Sequence, residues 1–531
     1  MMSLLVNKAY SQPAREWIAR SNSDFEDELS DMAVDDLGNV YVTGASMQGV
    51  FTTDFITTKY DRYGTPQWYR LYNGVEDSQD KAYAITVDYF GNIYVTGSTN
   101  YDNGIVTIKY NSIGDTLWTR RYTGPGTGNN WTYPTSIAVD DSGYVYVAGT
   151  SEGLTGMHDL FQDYTTLKYS PEGEQIWEAR YNGLGNDDDV IESMVVDPYG
   201  NVYVTGYTNG GSLGNDYSFE DITTIKYTTD GEIDWVQNYV GPGTSGDKAN
   251  MIALDDYGNV YITGKTFTRI SNEDIILIKY DSEGTELWQR IYNGPESGTD
   301  EGVALTIDNL YNVYIIGKSD YGKTNGFDIV TNKYRADGTN LWTKNFNGTA
   351  NSNDFAIDVA LDKAGNIYVL GTVININSNN DYQLLKYSPT GILLWQTTYN
   401  DTDFLYAPLP ESAASLFVDA DNNVYIAGTE ALGYSVVKYS QFKEDAELAE
   451  GNFIPVYPNP STGLINIWIA NSDVEVITVY NLVGEVIYSR SNLKKRPFIE
   501  IDLTAIPRGI YFIHHLGANG EKIHVEKIVI H

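Results

Sequence analysis

The sequence predicts an all-β chain: an eight-bladed β-propeller closed by its N-terminal strand, followed by a small immunoglobulin-like β-sandwich. Three observations carry that expectation. A Val-Tyr or Ile-Tyr pair recurs eight times, with its tyrosine at Tyr41, Tyr94, Tyr146, Tyr203, Tyr261, Tyr314, Tyr368 and Tyr425. The spacing is 52 to 58 residues, the range in which a repeat signals a propeller, solenoid or array. A Lys-Tyr pair follows each copy, from Lys59-Tyr60 to Lys438-Tyr439. A tryptophan strand follows only seven copies, and the eighth tryptophan of that kind, Trp17, precedes the first copy.

Each unit reads as four strands, a to d. In the second unit these are residues 82–88 (A-Y-A-I-T-V-D), 91–97 (G-N-I-Y-V-T-G), 105–110 (I-V-T-I-K-Y) and 117–122 (L-W-T-R-R-Y). Runs of this length, rich in β-branched and aromatic residues and bounded by Gly, Asn and Asp, are strand signals. They are apolar nearly throughout, as expected of a sheet covered on both faces, and a propeller blade is such a sheet. The c–d turn carries a glycine seven times, at Gly64, Gly114, Gly173, Gly231, Gly284, Gly338 and Gly391. The eighth turn is missing after Tyr439, where the repeat stops. Ring closure accounts for this. The strand at Trp17 would complete the last blade, beside residues 413–418, 424–428 and 435–439, and remove two open sheet edges.

In such a blade the a–b and c–d turns share one face of the disc, and the b–c and d–a loops share the other. The first set is short and uniform. The second varies, the b–c connection running from residues 429–433 in one unit to 207–220 in another. Variable loops on a rigid scaffold are where recognition resides, so a ligand is expected on the b–c/d–a face. Trp131 lies there, in a d–a loop outside the strand pattern, with Tyr133 nearby. Such an aromatic can stack on a sugar ring or a side chain; packing the loop against the disc is the alternative.

Other repeated polar residues have structural readings. Asp35, Asp88, Asp140, Asp197, Asp255, Asp308, Asp362 and Asp419 open the a–b turns, where an aspartate accepts a backbone N–H two residues on. The c-strand lysines sit mid-blade, where an unpaired ammonium is costly. Asp54, Asp163, Asp221, Asp274, Asp328 and Asp381 stand five residues before a lysine and therefore point to the opposite strand face. A lysine partner in an adjacent strand or blade is expected instead. Before residue 440 the one histidine is His158, too few for a Ser-His-Asp or histidine-rich metal site. No cofactor is expected. Asp187-Asp188-Asp189 and Asp419-x-Asp421-x-Asn423 offer oxygen ligands for calcium, although the second lacks the glycine and glutamate of an EF-hand loop. Among 71 acidic residues, no pair stands out for glycoside chemistry.

The formal charge is −37, of which −34 precedes residue 440. Such a surface repels nucleic acid and leaves cations, cationic partners and neutral glycans open. The chain has no cysteine, so it has neither disulfides nor thiolate sites. No apolar run approaches the ~18 residues of a membrane helix. Residues 1–12 read either as the remnant of a secretory signal or as a disordered lead-in.

After residues 13–440, the polar stretch 441–452 reads as a linker, and six or seven short strands in 453–531 suggest the sandwich. This last segment carries Val456-Tyr457-Pro458-Asn459-Pro460-Ser461-Thr462-Gly463, then Val479-Tyr480-Asn481-Leu482-x-Gly484, then Ile506-Pro507-x-Gly509-x-Tyr511, and closes on Lys527-Ile528-Val529-Ile530. It resembles the type A C-terminal sorting domain of the type IX secretion system. The resemblance implies a sorting signal carried by Pro458, Asn459, Pro460, Gly463, Gly484, Pro507, Gly509, Tyr511 and Lys527. It also implies the secretion machinery as partner, and export to the surface or medium of a Bacteroidetes-type bacterium. The D-x-x-G-N-V-Y-V-T-G unit with its Lys-Tyr and tryptophan is similar to bacterial SBBP propeller repeats, with eight units against a nominal seven. The expectation is a secreted or surface-displayed monomer that binds a glycan or protein ligand as a non-catalytic adhesion module. A polysaccharide-active enzyme with its site on the b–c/d–a face and a structural surface-layer component are the alternatives.

Overall fold

In a computed structural model of the chain, residues 12–441 are described apart from 22–26, 50–51, 75–77, 100–103, 126–131, 154–160, 186, 210–219, 244, 269–271, 323–325, 376–379, 401–411 and 431–432. Beyond them, residues 456–457, 463–468, 474–482, 484–491, 493, 498–517 and 522–530 are described. The regular structure of the described residues is entirely β. The lead-in 1–11 and the linker from 442 lie outside the described residues. The chain divides into a compact unit of residues 16–438 and a second that includes 439–531.

The first unit is built from eight four-stranded sheets. Seven run a-b-c-d through a single repeat, over residues 27–72, 80–122, 133–181, 190–239, 248–292, 300–346 and 354–399, and are numbered sheets 1 to 7 here. Sheet 8 joins Ser412–Val418, Val424–Glu430 and Gly433–Ser440 to Ala14–Arg20 as its fourth strand. Ser21 N donates to Tyr434 O at 3.0 Å beside that strand. The b and c strands Ile93–Thr99 and Gly104–Tyr110 are buried at every position, whereas the d strand Pro66–Tyr72 is largely exposed. Apolar runs therefore mark the middle of each sheet, and mixed sequence marks its outer edge. The a–b ladder slips between Ala82 and Ala84, and the c–d ladder between Lys109 and Tyr110. Both irregularities recur from sheet to sheet, as β-bulges that bend and twist a strand do.

The core lies between sheets. Tyr41 and Phe55 of sheet 1 pack with Ala82, Ile93, Val106 and Ile108 of sheet 2. Val40, Val42 and Tyr60 of sheet 1 pack in the same way with Tyr425, Ala427 and Val436 of sheet 8, together with Ala19. Gly231 illustrates the c–d turn. Its φ is +83°, and a Cβ there would stand 2.7 Å from Cδ2 of Trp177 in the preceding sheet. The glycine thus makes the turn and seats its neighbour's indole. Gly231→Ala should lower stability by about 2–4 kcal/mol, from left-handed strain plus overpacking. Urea midpoints of variant and parent test this, and equal midpoints would mean the seat is dispensable.

The second unit is a two-sheet sandwich. One sheet orders Val456–Tyr457, Leu464–Trp468 and Phe498–Asp502; the other orders Val486–Ser491, Val476–Tyr480, Gly509–Leu516 and Lys522–Ile530. Ile465, Ile467, Ile499 and Ile501 of the first sheet meet Ile477, Val479, Ile513 and Ile528 of the second in a single core.

Candidate functional site

The repeated polar residues are consumed by the scaffold. Asp88 Oδ1 accepts the N–H groups of Phe90 and Asn92 at 2.9 and 2.8 Å, while Oδ2 accepts Asn92 Nδ2 and the Tyr94 hydroxyl at 2.7 and 2.9 Å. The tyrosine-to-aspartate bond recurs in all eight sheets. Burial pushes the Tyr94 phenol up, and its bond to Asp88 adds to this. These aspartates close Asx turns, as expected.

The lysines reach the neighbouring sheet. Lys59 Nζ and Trp68 Nε1 both donate to Ser112 O in the c–d turn of sheet 2, at 3.0 and 3.2 Å. The same convergence falls on Pro171 O, Thr229 O, Ser282 O, Ala336 O and Pro389 O. Each c-strand lysine also lies over the b-strand tyrosine of its sheet, 4.6–5.6 Å from the ring centroid. Burial lowers the pKa of Lys386, and Asp362, 3.2 Å away, opposes that shift. Trp17 behaves as the other d-strand tryptophans do. Its Nε1 donates to Arg62 O in sheet 1 at 3.1 Å, and its ring lies 6.2 Å from that of Tyr425.

The b–c/d–a side of the sheets carries a different constellation. Tyr133, at the start of an a strand, is half-buried, and its hydroxyl lies 3.4 Å from Gln162 Oε1. Burial, reinforced by Tyr207, Glu192, Asp188 and Tyr83, pushes its phenol up to about 12. These residues come from sheets 2, 3 and 4 and from the loop before sheet 4. A cavity of about 340 Å³ opens beside Tyr133, lined among others by Glu28, Lys81, Tyr83, Thr99 and Thr132. Lys81 pairs with Glu28 and lies 5.6 Å from the Tyr83 ring. Lys248 lies 3.9 Å from the Tyr207 ring centroid and 2.9 Å from Glu220. Glu192 is open to solvent but closely surrounded. That enclosure raises its pKa, Lys248 opposes the shift, and Glu301 adds to it. Glu301 is itself held by Lys318 at 2.8 Å and Asn250 at 3.0 Å. Phenol faces, hydroxyls and paired charges that can donate and accept together suit a polyhydroxylated ligand.

Trp131 lies outside the described residues. Asp419 is occupied by Asp421 N, Asn423 N, Asn423 Nδ2 and Tyr425 OH. Asp188 accepts Gln162 N, and Asp189 accepts Gly183 N and Asn209 N. Among the described residues no three His, Cys, Asp or Glu side chains are grouped to hold a metal ion. No described helix is long and apolar enough to cross a membrane.

In the second unit, Gly463 has φ +119°, and a Cβ there would stand 2.6 Å from Thr504 Cα. Gly484 closes a turn by donating to Asn481 O at 3.1 Å. Tyr511 donates to Pro507 O at 2.6 Å, and Gly509 opens the strand that carries Tyr511. Lys527 lies in the last strand. Pro458, Asn459 and Pro460 fall outside the described residues.

Comparison with known proteins agrees with this anatomy. Residues 455–531 match the secretion system C-terminal sorting domain, and residues 67–104, 117–154 and 179–214 match the β-propeller repeat SBBP. Over 390 residues, 61% of this chain, the sequence is 25% identical to an uncharacterized WD repeat-containing protein, L264, of Acanthamoeba polyphaga mimivirus. The match spans about a quarter (26%) of that relative's length. Among solved structures, the WD40 domain of SCAP from fission yeast is similar at 11% identity and a TM-score of 0.43, over 80% of this chain and 98% of that one. The β-propeller domain of the Trilobed protease from Pyrococcus furiosus is similar at 11% identity and a TM-score of 0.41, over 73% and 100%. The sorting tail marks the protein for secretion or the cell surface and for contact with the type IX machinery. The chain therefore carries SBBP β-propeller repeats followed by a type IX secretion C-terminal sorting domain.

Proposed function

We propose that the eight sheets are the blades of one closed propeller, and that this propeller is a monomeric, non-catalytic adhesion module binding a glycan. Closure is supported by Trp17, which makes toward Arg62 and Tyr425 the contacts that Trp68 makes toward Ser112 and Tyr41. The glycan reading rests on one observation: Tyr83 and Tyr133 line one cleft, with Tyr207 near enough to act on the Tyr133 phenol and with paired, hydrogen-bond-ready charges beside them. A glycan array with the full chain tests it. Tyr133→Ala and Tyr83→Ala should each weaken the retained glycan about tenfold, the loss of one stacking surface. Binding that survives both substitutions would remove the cleft from consideration.

A second reading is favoured by Glu192, whose raised pKa beside Tyr133 suits a general acid. The same glycans, incubated and assayed for new reducing ends, decide between the two. Turnover abolished by Glu192→Gln would make the protein a polysaccharide-active enzyme.

A further inference from the structure

The opposite side of the sheets, formed by the a–b and c–d turns, carries an unexplained apolar display. In each a–b turn the hydrogen bonds are made by the aspartate at the first position and by the backbone N–H groups of the third, fourth and fifth. The side chains at the second and third positions project into solvent and make none of these bonds. Polar residues ordinarily stand there. Here they include Leu37, Tyr89, Phe90, Tyr199, Tyr257 and Leu310, each between 71% and 88% exposed. Tyr311 goes further. It occupies the fourth position, where most repeats place glycine, at φ +62°, and its ring lies 5.1 Å from that of Tyr257 in the preceding sheet. A bulky side chain in the left-handed region costs about 1–2 kcal/mol, and such strain collects at functional positions.

These aromatics are set in negative charge. The eight five-residue a–b turns hold twelve carboxylates and one lysine, and Asp36, Asp141 and Asp256 are exposed at their tips. Nearby c-strand lysines are engaged by turn carbonyls. Tyr89 and Phe90 form a ridge between two grooves. One, of about 430 Å³, is lined by Asp35, Asp36 and Leu37; the other, of about 380 Å³, by Asp140, Asp141 and Val139. The grooves occupy successive gaps between sheets.

We infer that this rim of tyrosine, phenylalanine and aspartate docks a lysine- or arginine-rich extended segment of a partner polypeptide. The alkyl stems and cationic heads of consecutive basic residues would lie on the rings of Tyr89 and Phe90, with Asp36 and Asp141 in the flanking grooves as counter-charges. The site is separate from the Tyr133 cleft and does not depend on it.

The test is fluorescence anisotropy of a labelled arginine–glycine peptide with the full chain, using a glutamate–glycine peptide as control. The basic peptide should bind, the acidic one should not, and added salt should weaken but not abolish binding. Tyr89→Ser with Phe90→Ser leaves every charge in place and touches only exposed groups, so its melting curve should match the parent's. It should weaken the basic peptide about tenfold through lost ring contacts, whereas Tyr133→Ala should bind as the parent does. Unchanged affinity in the Tyr89/Phe90 variant would reduce the effect to non-specific charge attraction and overturn the proposal. Failure to bind the basic peptide, or capture of a neutral glucan by this rim in its place, would also overturn it.

Discussion

A chain lacking residues 1–21 will not yield a monodisperse folded protein. Ala14–Arg20 is the fourth strand of sheet 8, and its partner Gly433–Ser440 is buried at all positions. Truncation turns that buried strand into an open edge, strips Lys438 of Glu16 at 3.0 Å, and leaves Arg62 O without the indole of Trp17. The loss is on the order of 5 kcal/mol or more, comparable with the whole stability of many domains. Size-exclusion chromatography of the soluble fraction reads it, with aggregate as the expected product. A subtler version uses Trp17→Ala beside Trp288→Ala, whose indole makes the equivalent bond to Ala336 O at 3.1 Å. Each should lose about 3–5 kcal/mol. Equal losses are the mark of a ring without a privileged seam, whereas a compact, well-melting truncated chain would show that sheet 8 does without its fourth strand.

The second large effect is on pH. Burial holds the carboxyls of Asp31 and Asp189 up to about 7, and those of Asp221, Asp328, Asp354 and Asp358 up to about 6. Carboxylates facing one another across sheets add to this: Asp247 against Asp221, Asp354 against Asp328, Asp358 against Asp31. A carboxyl whose folded pKa lies above its unfolded value binds its proton more tightly in the native state. Its stabilisation is complete below about pH 4 and fades as pH rises through 6 to 7. Asp308 and Asp362 run the other way. Burial would raise them, but bonds from Asn312 and Asn366, with Lys386 at Asp362, hold them low, and their contribution is lost only in strong acid. The melting temperature should therefore fall by about 5 °C or more between roughly pH 5 and 8. Asp31→Asn should flatten part of that slope while lowering stability at every pH, since Asp31 accepts Ile85 N–H through Oδ2 and Met32 N–H through Oδ1 and an amide carbonyl can replace only one of them. A melting temperature that holds or climbs over this interval would contradict the assignment.

The strands are legible in the sequence because their signals are local. Runs such as I-Y-V-T-G are preceded by Asp-x-x-Gly-Asn, whose aspartate closes its turn with residues two to six positions ahead. Trp17 is legible by counting. The carbonyl partners of the lysines are not, because they lie 53–62 residues downstream in another sheet. A second set of turn aspartates, Asp80, Asp189, Asp247, Asp300 and Asp354, accepts a glycine N–H six residues earlier. Its signature, a glycine six residues before an aspartate, is present in the chain and easily passed over beside the louder turn motif. The cleft is the least legible part. Tyr83, Tyr133 and Tyr207 occupy non-equivalent places in their repeats, so no periodicity marks them, and Tyr133 stands out only as the neighbour of Trp131.

The pairing of first strand with last also sets a timetable for the growing chain. Ala14–Arg20 emerges early, but its partner begins at Gly433, about 410 residues later, or roughly 20–80 s at ~5–20 residues per second. Throughout that wait the strand is an orphan that any passing β edge could capture. Arg15, Glu16 and Arg20 surround its tryptophan with charge, the usual guard against premature pairing. Among the strands of the eight sheets, the one made first is thus the last to be latched.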